Sequence, residues 1–352
     1  MKQWSINIPG DYLDSFIYMG ILFLFDFDGN VKLYNFEKML SERLKKEKNI
    51  NKVHEFQAIF SKKFEKNRKA EQRNKSLEID SDFLESFKTD MLDIGEWVTD
   101  VNVTSKYVYF SSSKGIQKRR INVFDSRDLR LGTFSKKTID LFLDTKVYSF
   151  SSSFGRSVLC CGSEGAIYGL EQDHKFNHLK DNKSDDWIDC QWYSLEDKDI
   201  LSVNSERVVT YQEMKLEKNI QQLRNRIFNI KKRLKNITSD SIKKNRLIRI
   251  NEIERNFKEN LYKCYNLDLE GVPKSDGMQY IKQKKLQNKA LFYQLGDEIF
   301  CKKDNSNNNI VSSNGEITNW RIFPNARTHF NQLHVIYNDY MSINGFEINF
   351  SD

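Results

Sequence analysis

Ser157 to Leu170 reads SVLCCGSEGAIYGL: a short apolar run, a small polar turn ending in glycine, and a second run in which apolar and polar residues alternate. Alternation with a period of two sets one side of each run against a core. A glycine after Asp, Asn or Glu between two such runs supplies the positive φ that a tight hairpin turn needs. The same unit recurs at Ile21 to Phe36, Lys106 to Asp125, Asp199 to Tyr211, Asn308 to Trp320 and Asp339 to Phe350, with turns near Gly29, Gly115, Gly165, Ser205, Gly315 and Gly345. A lone hairpin cannot bury its face in water, so several must pack on one another. From Gly115 to Gly165 to Ser205 the step is about 40 to 50 residues, the length of a four-stranded propeller blade. The pattern predicts an all-β fold, a β-propeller of about six to seven blades with inserted α-helical segments; a β-sandwich of hairpins is the competing arrangement. A leading strand at Trp4 to Ile8 could pair with the last strand, Phe346 to Phe350, and so close a ring and remove two exposed edges.

Two stretches break the strand pattern. In residues 37–75, Met39, Leu40, Leu44, Val53, Phe56, Phe60 and Phe64 recur at helical spacing, and thirteen Lys or Arg face six Glu. This predicts two short amphipathic helices, followed over 76–100 by an acidic linker that either folds back on them or stays solvated. In residues 213–263, Leu216, Ile220, Leu223, Ile227, Ile230, Leu234 and Ile237 step alternately by four and three, the seam of a coiled coil. Thr238, Ser239 and Asp240 interrupt it with helix-capping chemistry, and Leu247, Ile250, Phe257 and Leu261 continue on one face of a second helix. The expectation is an antiparallel coiled-coil hairpin. The chain thus divides into a first blade (1–36), a basic helical insert with its acidic linker (37–97), further blades (98–212), the hairpin insert (213–263) and the remaining blades with ring closure (264–352).

Charge follows the same division. Between Glu213 and Lys263, fifteen Lys or Arg stand against six Asp or Glu, an excess larger than the +7 of the whole chain. A basic arm on an acidic body is the electrostatic footprint of a nucleic-acid contact, with Lys231, Lys232, Arg233, Lys235, Lys243, Lys244, Arg246 and Arg249 as candidate phosphate ligands. Equally, it suits docking on an acidic protein partner or on the chain's own body. Because both basic inserts follow the same element of the repeat, they are expected to flank one face of the ring.

Motif chemistry is sparse. Five cysteines include no Cys-x-x-Cys pair and no even disulfide framework, which fits a reducing, cytoplasmic setting. The apolar run Phe16 to Phe25 is too short to span a bilayer and follows Asp11 and Asp14, unlike an export signal. His174 and His178 lie four apart without a third ligand in view, so no metal and no cofactor is assigned.

Phe23 to Val31, FLFDFDGNV, resembles the first motif of haloacid-dehalogenase-type phosphatases. That resemblance implies Asp26 as nucleophile and Asp28 as general acid beside Mg²⁺, with Asp185 and Asp186 as the late metal-binding acids. Asn30 stands where that family usually has Thr, and a type I′ turn at Asp28 and Gly29 accounts for the same residues structurally. The strand repeat as a whole resembles WD40-like β-propellers, with VFDSRDL at 123–129 and LYNFEKM at 33–39 where that family ends a strand on Trp-Asp. This resemblance implies architecture alone, since the Gly-His and Trp-Asp signatures are missing. The functional expectation is a non-catalytic scaffold or sensor subunit that binds protein partners, with the basic arm as docking element and no membrane contact. The alternatives are a nucleic-acid-binding subunit and, third, a metal-dependent phosphatase at Asp26 and Asp28.

Overall fold

The structure, a computed structural model, describes residues 3–60, 75–104, 107–122, 132–135, 140–153, 156–162, 166–172, 175–182, 187–195, 198–205, 209–215, 248, 273–274, 282–286, 290–303, 306–311, 315–323, 326 and 329–346. It is mostly β. The described strands form four sheets of four strands and two of five, and the four-stranded sheets stand like the blades of a propeller. One of them comprises Asp14–Tyr18, Ile21–Phe25, Asn30–Asn35 and Lys88–Asp93, all antiparallel. The next two in sequence comprise Ser149–Ser153, Arg156–Cys160, Ala166–Gln172 and Lys175–Asn182, then Trp187–Leu195, Lys198–Ser205, Val209–Lys215 and Pro273–Lys274. The fourth comprises Lys282–Leu286, Ala290–Leu295, Glu298–Lys303 and Ser306–Val311. Of the expected hairpin of residues 213–263, Glu213 to Lys215 belong instead to the strand Val209–Lys215, Ile248 is helical and exposed, and the rest lies outside the described residues.

The first strand of each sheet faces its neighbours. Asp14–Tyr18 lies between Ile317–Ile322 and Asp100–Thr104, Ser149–Ser153 lies between Asp100–Thr104 and Trp187–Leu195, and the last of these also meets Lys282–Leu286. The hydrogen-bond ladders run within sheets, so adhesion between sheets falls mainly on side chains. It comes as apolar clusters that each bridge adjacent sheets. Ile21, Phe23 and Phe25 pack with Val101, Val108 and Phe110, and Tyr109 and Ile116 pack with Phe150 and Leu159. Phe292 and Ile299 likewise pack with Trp320, Leu333 and Phe346.

Local chemistry explains the turns. Met19 and Gly20 both have positive φ, 51° and 83°, the type I′ geometry of a two-residue hairpin loop. At the next turn the expected type I′ geometry is replaced. Gly29 alone takes a positive φ of 81°, Gly29 N–H donates to Asp26 O at 3.3 Å, and the Asp26 carboxylate accepts from the backbone of Asp28 and Asn30 at 3.1 and 2.9 Å. This is an Asp-capped turn closed by a left-handed glycine. Two glycines expected at turns serve otherwise. Gly315 lies between Ser306–Val311 and Ile317–Ile322, strands of different sheets, and Gly345 lies inside the continuous strand Tyr340–Phe346. The true turns there fall at Gly296–Asp297 and Asn338–Asp339.

The N-terminal strand Gln3–Pro9 pairs antiparallel with Tyr340–Phe346, Gln3 opposite Phe346 and Pro9 opposite Tyr340. With Ile317–Ile322 and Gln332–Tyr337 it makes the sheet that joins the two ends of the chain. Beyond it, Lys75–Glu78 adds in parallel as a fifth strand. The other five-stranded sheet consists of Asp100–Thr104, Tyr107–Ser112 and Gly115–Asn122, with the short Thr133–Phe134 and Asp140–Leu143 both paired to Gly115–Asn122.

The first insert is helical as expected but does not stand away from the body. Helix α1 (Phe36–Lys45) starts on Asn35, whose side chain accepts from Lys38 N–H at 3.1 Å, and buries Phe36, Met39, Leu40 and Leu44. Helix α2 (Ile50–Phe60) buries Phe56, Ile59 and Phe60 in the same cluster as Trp4, Ile6, Met341 and Ile343. Glu55 of α2 accepts from Trp4 Nε1 at 2.9 Å and pairs with Lys75 at 2.9 Å, tying helix, first strand and fifth strand together. The segment read as an acidic linker supplies strands Lys75–Glu78 and Lys88–Asp93, and between them the single turn α3 (Ser81–Glu85), capped by Asp80.

Gly345 is required by this packing. A Cβ there would sit 2.2 Å from Ile59 Cγ2 and 2.8 Å from Phe60 Cζ. Gly345→Ala is therefore expected to destabilise the protein by about 1–3 kcal/mol through overpacking, seen as a lower urea midpoint. An unchanged midpoint would show that α2 does not lie on this strand.

Candidate functional site

The eight basic residues expected to contact phosphate or a partner, Lys231, Lys232, Arg233, Lys235, Lys243, Lys244, Arg246 and Arg249, lie outside the described residues. Among the described residues, functional geometry concentrates in two places: a buried charged junction where the inner strands meet, and an exposed aromatic corner at the edge of the first sheet.

The junction is built on Arg321. Its Nε and Nη2 donate to Asp14 Oδ1 and Oδ2 at 3.3 and 2.5 Å, Nη2 also reaches Asp100 Oδ1 at 2.8 Å, and Nη1 donates to Val101 O at 3.1 Å. The carboxylates bring in further donors: Ser15 N–H to Asp14 Oδ1 at 2.7 Å, and Phe150 N–H and the Ser149 hydroxyl to Asp100 Oδ2, both at 2.9 Å. Four sheets thus share one network. Burial works against the guanidinium's charge, but Asp14 and Asp100 outweigh it and hold the group protonated beyond its ordinary range.

Beside it, Ser15 Oγ and His334 Nδ1 lie 2.9 Å apart, with both residues fully buried and Phe323 edge-on to the imidazole at 4.7 Å. A serine near a histidine is the start of a nucleophilic site only where substrate can reach it, and this pair is sealed. Burial, then the neighbouring His329 and Arg321, lower the His334 pKa well below the ordinary value and keep the ring neutral.

Asp26, the nucleophile implied by the phosphatase resemblance, spends its carboxylate on its own turn. Besides the backbone bonds above, it accepts from Asn30 Nδ2 at 3.3 Å and pairs with Lys32 at 3.3 Å. Asp28 is exposed on the same turn. Among the described residues, no group of three or more His, Cys, Asp or Glu is placed to hold a metal ion, and Asp185 and Asp186 lie outside them.

The exposed corner joins that turn to the loop after Lys88–Asp93. Phe27 and Trp97 are 46% and 62% exposed, and their rings meet edge to face at 6.0 Å and 87°. Trp97 Nε1 donates to Phe27 O at 2.7 Å, which fixes the indole against the turn. Around them, Asp93 accepts from Gly95 N–H at 2.8 Å, and Glu96 pairs with Lys114 at 2.7 Å. Burial raises the Glu96 pKa, but Lys114 and neighbouring serines outweigh it and keep it lowered.

Neither Arg321 nor this corner was marked by the sequence reading. Asp14, Asp100 and Arg321 share no local pattern. For the corner, two signals are present in the sequence: Trp97 in a polar, acidic loop and Phe27 between the two aspartates of a turn.

No family model and no curated protein matches the chain. Among solved structures, the computationally designed Ika8 protein is similar at a TM-score of 0.38 and 8% identity, over 95% of this chain and 70% of that one. Among the described residues, no helix is long and apolar enough to cross a membrane.

Removing the cation from the junction strands two carboxylates, one of them buried. Arg321→Met is expected to cost about 3–5 kcal/mol, measured as the loss in unfolding free energy; a loss under about 1 kcal/mol would mean the junction is incidental. His334 gives a pH signature. Its folded pKa lies below the unfolded value near 6.5, so its contribution is intact above that value and is lost as pH falls below it. His334→Gln should flatten the fall of thermal midpoint between neutral pH and mild acid, and an unaltered slope would assign the acid sensitivity elsewhere.

Proposed function

We propose that the chain is a non-catalytic β-propeller scaffold or sensor subunit, working in the cytoplasm, that binds protein partners within a larger complex. The basic arm of residues 213–263 is its docking element. In this reading the two five-stranded sheets complete the ring begun by the four-stranded ones, giving six blades, and the order in which the inner strands neighbour one another supports that closure. The observation that carries the functional reading is where the polar groups go. Arg321, Asp14 and Asp100 satisfy one another, Ser15 and His334 are sealed, and the Asp26 carboxylate caps a turn, whereas large aromatic surface is left outside. Such a distribution suits recognition better than chemistry. The four described cysteines are buried in the core, where they act as small apolar side chains.

The second reading is a nucleic-acid-binding subunit, favoured by the excess of positive charge between Glu213 and Lys263. A pull-down from the native host separates the two. Intact protein is compared, with and without nuclease, against a variant whose residues 214–262 are replaced by a short Gly-Ser linker. The scaffold reading expects a protein partner that is lost with the arm and indifferent to nuclease. Loss of nuclease-sensitive nucleic acid, with binding falling steeply in salt, would replace it by the second reading.

A further inference from the structure

Phe27 and Trp97 present two large aromatic rings to solvent at one corner of the first sheet. Exposed side chains of this size are ordinarily mobile, but these are held before anything arrives. The indole is hydrogen-bonded to the Phe27 carbonyl, and the turn carrying Phe27 is clamped by the Asp26 carboxylate through Asp28 and Asn30. Ordering cost, which usually erodes the affinity of a surface contact, is therefore already met within the fold. Rigid aromatic anchors of this kind are where binding energy concentrates in protein interfaces.

Charge selects the occupant. The turn and the loop that carry the rings also carry four carboxylates, Asp26, Asp28, Asp93 and Glu96, of which two are already matched: Asp26 with Lys32, and Glu96 with Lys114. Asp28 on the turn and Asp93 beside it are both exposed, which leaves the corner acidic although the chain as a whole carries +7. Phosphates would be repelled there. A cation would gain twice, from the carboxylates and from the negative face of the indole, the best of the aromatic side chains for this contact.

We propose that the Phe27 and Trp97 corner docks a lysine or arginine side chain carried on a basic segment of a partner protein. The proposal rests on the scaffold reading above and gives the ring a recognition point separate from the basic arm. The two surfaces have opposite charge, so one partner could span both only by offering a basic and an acidic region.

The test is calorimetric titration of the full chain at low salt with a capped Arg-Gly repeat peptide, and with a Glu-Gly peptide and a single-stranded oligonucleotide as alternatives. The Arg-Gly peptide should bind, Trp97→Ala should weaken it about tenfold or more, and Asp28→Asn with Asp93→Asn should both weaken it and reduce its salt dependence. Trp97→Phe, which keeps a ring but loses the anchoring N–H, should fall between wild type and alanine, and it serves as the deciding variant if alanine lowers the thermal midpoint. No binding by wild type, equal binding of the Glu-Gly peptide, or an affinity indifferent to Trp97 would overturn the proposal. So would an oligonucleotide whose affinity falls in Trp97→Ala, which would place nucleic acid at the corner. The Gly-Ser replacement of residues 214–262 keeps the two questions apart. Peptide binding at the corner should survive it, and failure at the corner alongside an arm-dependent protein partner would leave the scaffold reading standing.

Discussion

Arg321 stands where the edges of several sheets converge, and its position reflects a constraint general to this architecture. The hydrogen-bond ladders run within each sheet, so they do not hold one sheet to the next. Apolar clusters supply most of that adhesion, but they are indifferent to small slides of one face over another. A guanidinium with fixed geometry is not. Its fork donates to Asp14 in one sheet and to Asp100 in another, while Asp100 also accepts from Ser149 and Phe150 in a third. The junction thus sets the angular relation of neighbouring sheets in a way that burial alone would leave loose.

The first insert shows how composition can mislead about position. Its excess of lysine and arginine invites the picture of a reaching arm, yet its apolar stripe is what decides where it goes. Phe36, Met39, Leu40, Leu44, Phe56 and Phe60 are all buried, and a basic surface is what remains on the outward faces of helices so packed. The first insert is laid on the wall of the sheet that holds Gln3–Pro9 and Tyr340–Phe346; the second, with which it is expected to flank one face, lies outside the described residues except for residues 213–215 and 248.

Much of the fold was legible because period-two alternation and a glycine or serine between runs are local signals. The turns at Gly29, Gly115 and after Ser205 joined strands as read. The misreadings have particular causes. Gly345 looks like turn chemistry, but it is small to admit Ile59 and Phe60, a requirement set by residues nearly three hundred positions away. Asn338–Asp339 turns without a glycine. Lys88–Asp93 escaped because an outer strand buries little of either face, so its acidic residues hide the alternation. The junction was illegible for a different reason: Asp14 and Arg321 are 307 positions apart, and no property of either announces the other. The aromatic corner was half visible, since Asp-Phe-Asp-Gly was read for its aspartates and not for the ring between them.

The parallel strand Lys75–Glu78 beside Gln3–Pro9 has a consequence in time. Strand Gln3–Pro9 has two partners, and they are synthesised at very different times. Its inner partner, Tyr340–Phe346, is made long after it, whereas its outer partner and the helices that cover it follow soon behind it in the chain. A strand awaiting a distant neighbour is otherwise an open edge until that neighbour is made, ready to pair with any other chain. Here the waiting edge has company early, and Gln3–Pro9 can be kept in storage, half-paired, until Tyr340–Phe346 arrives.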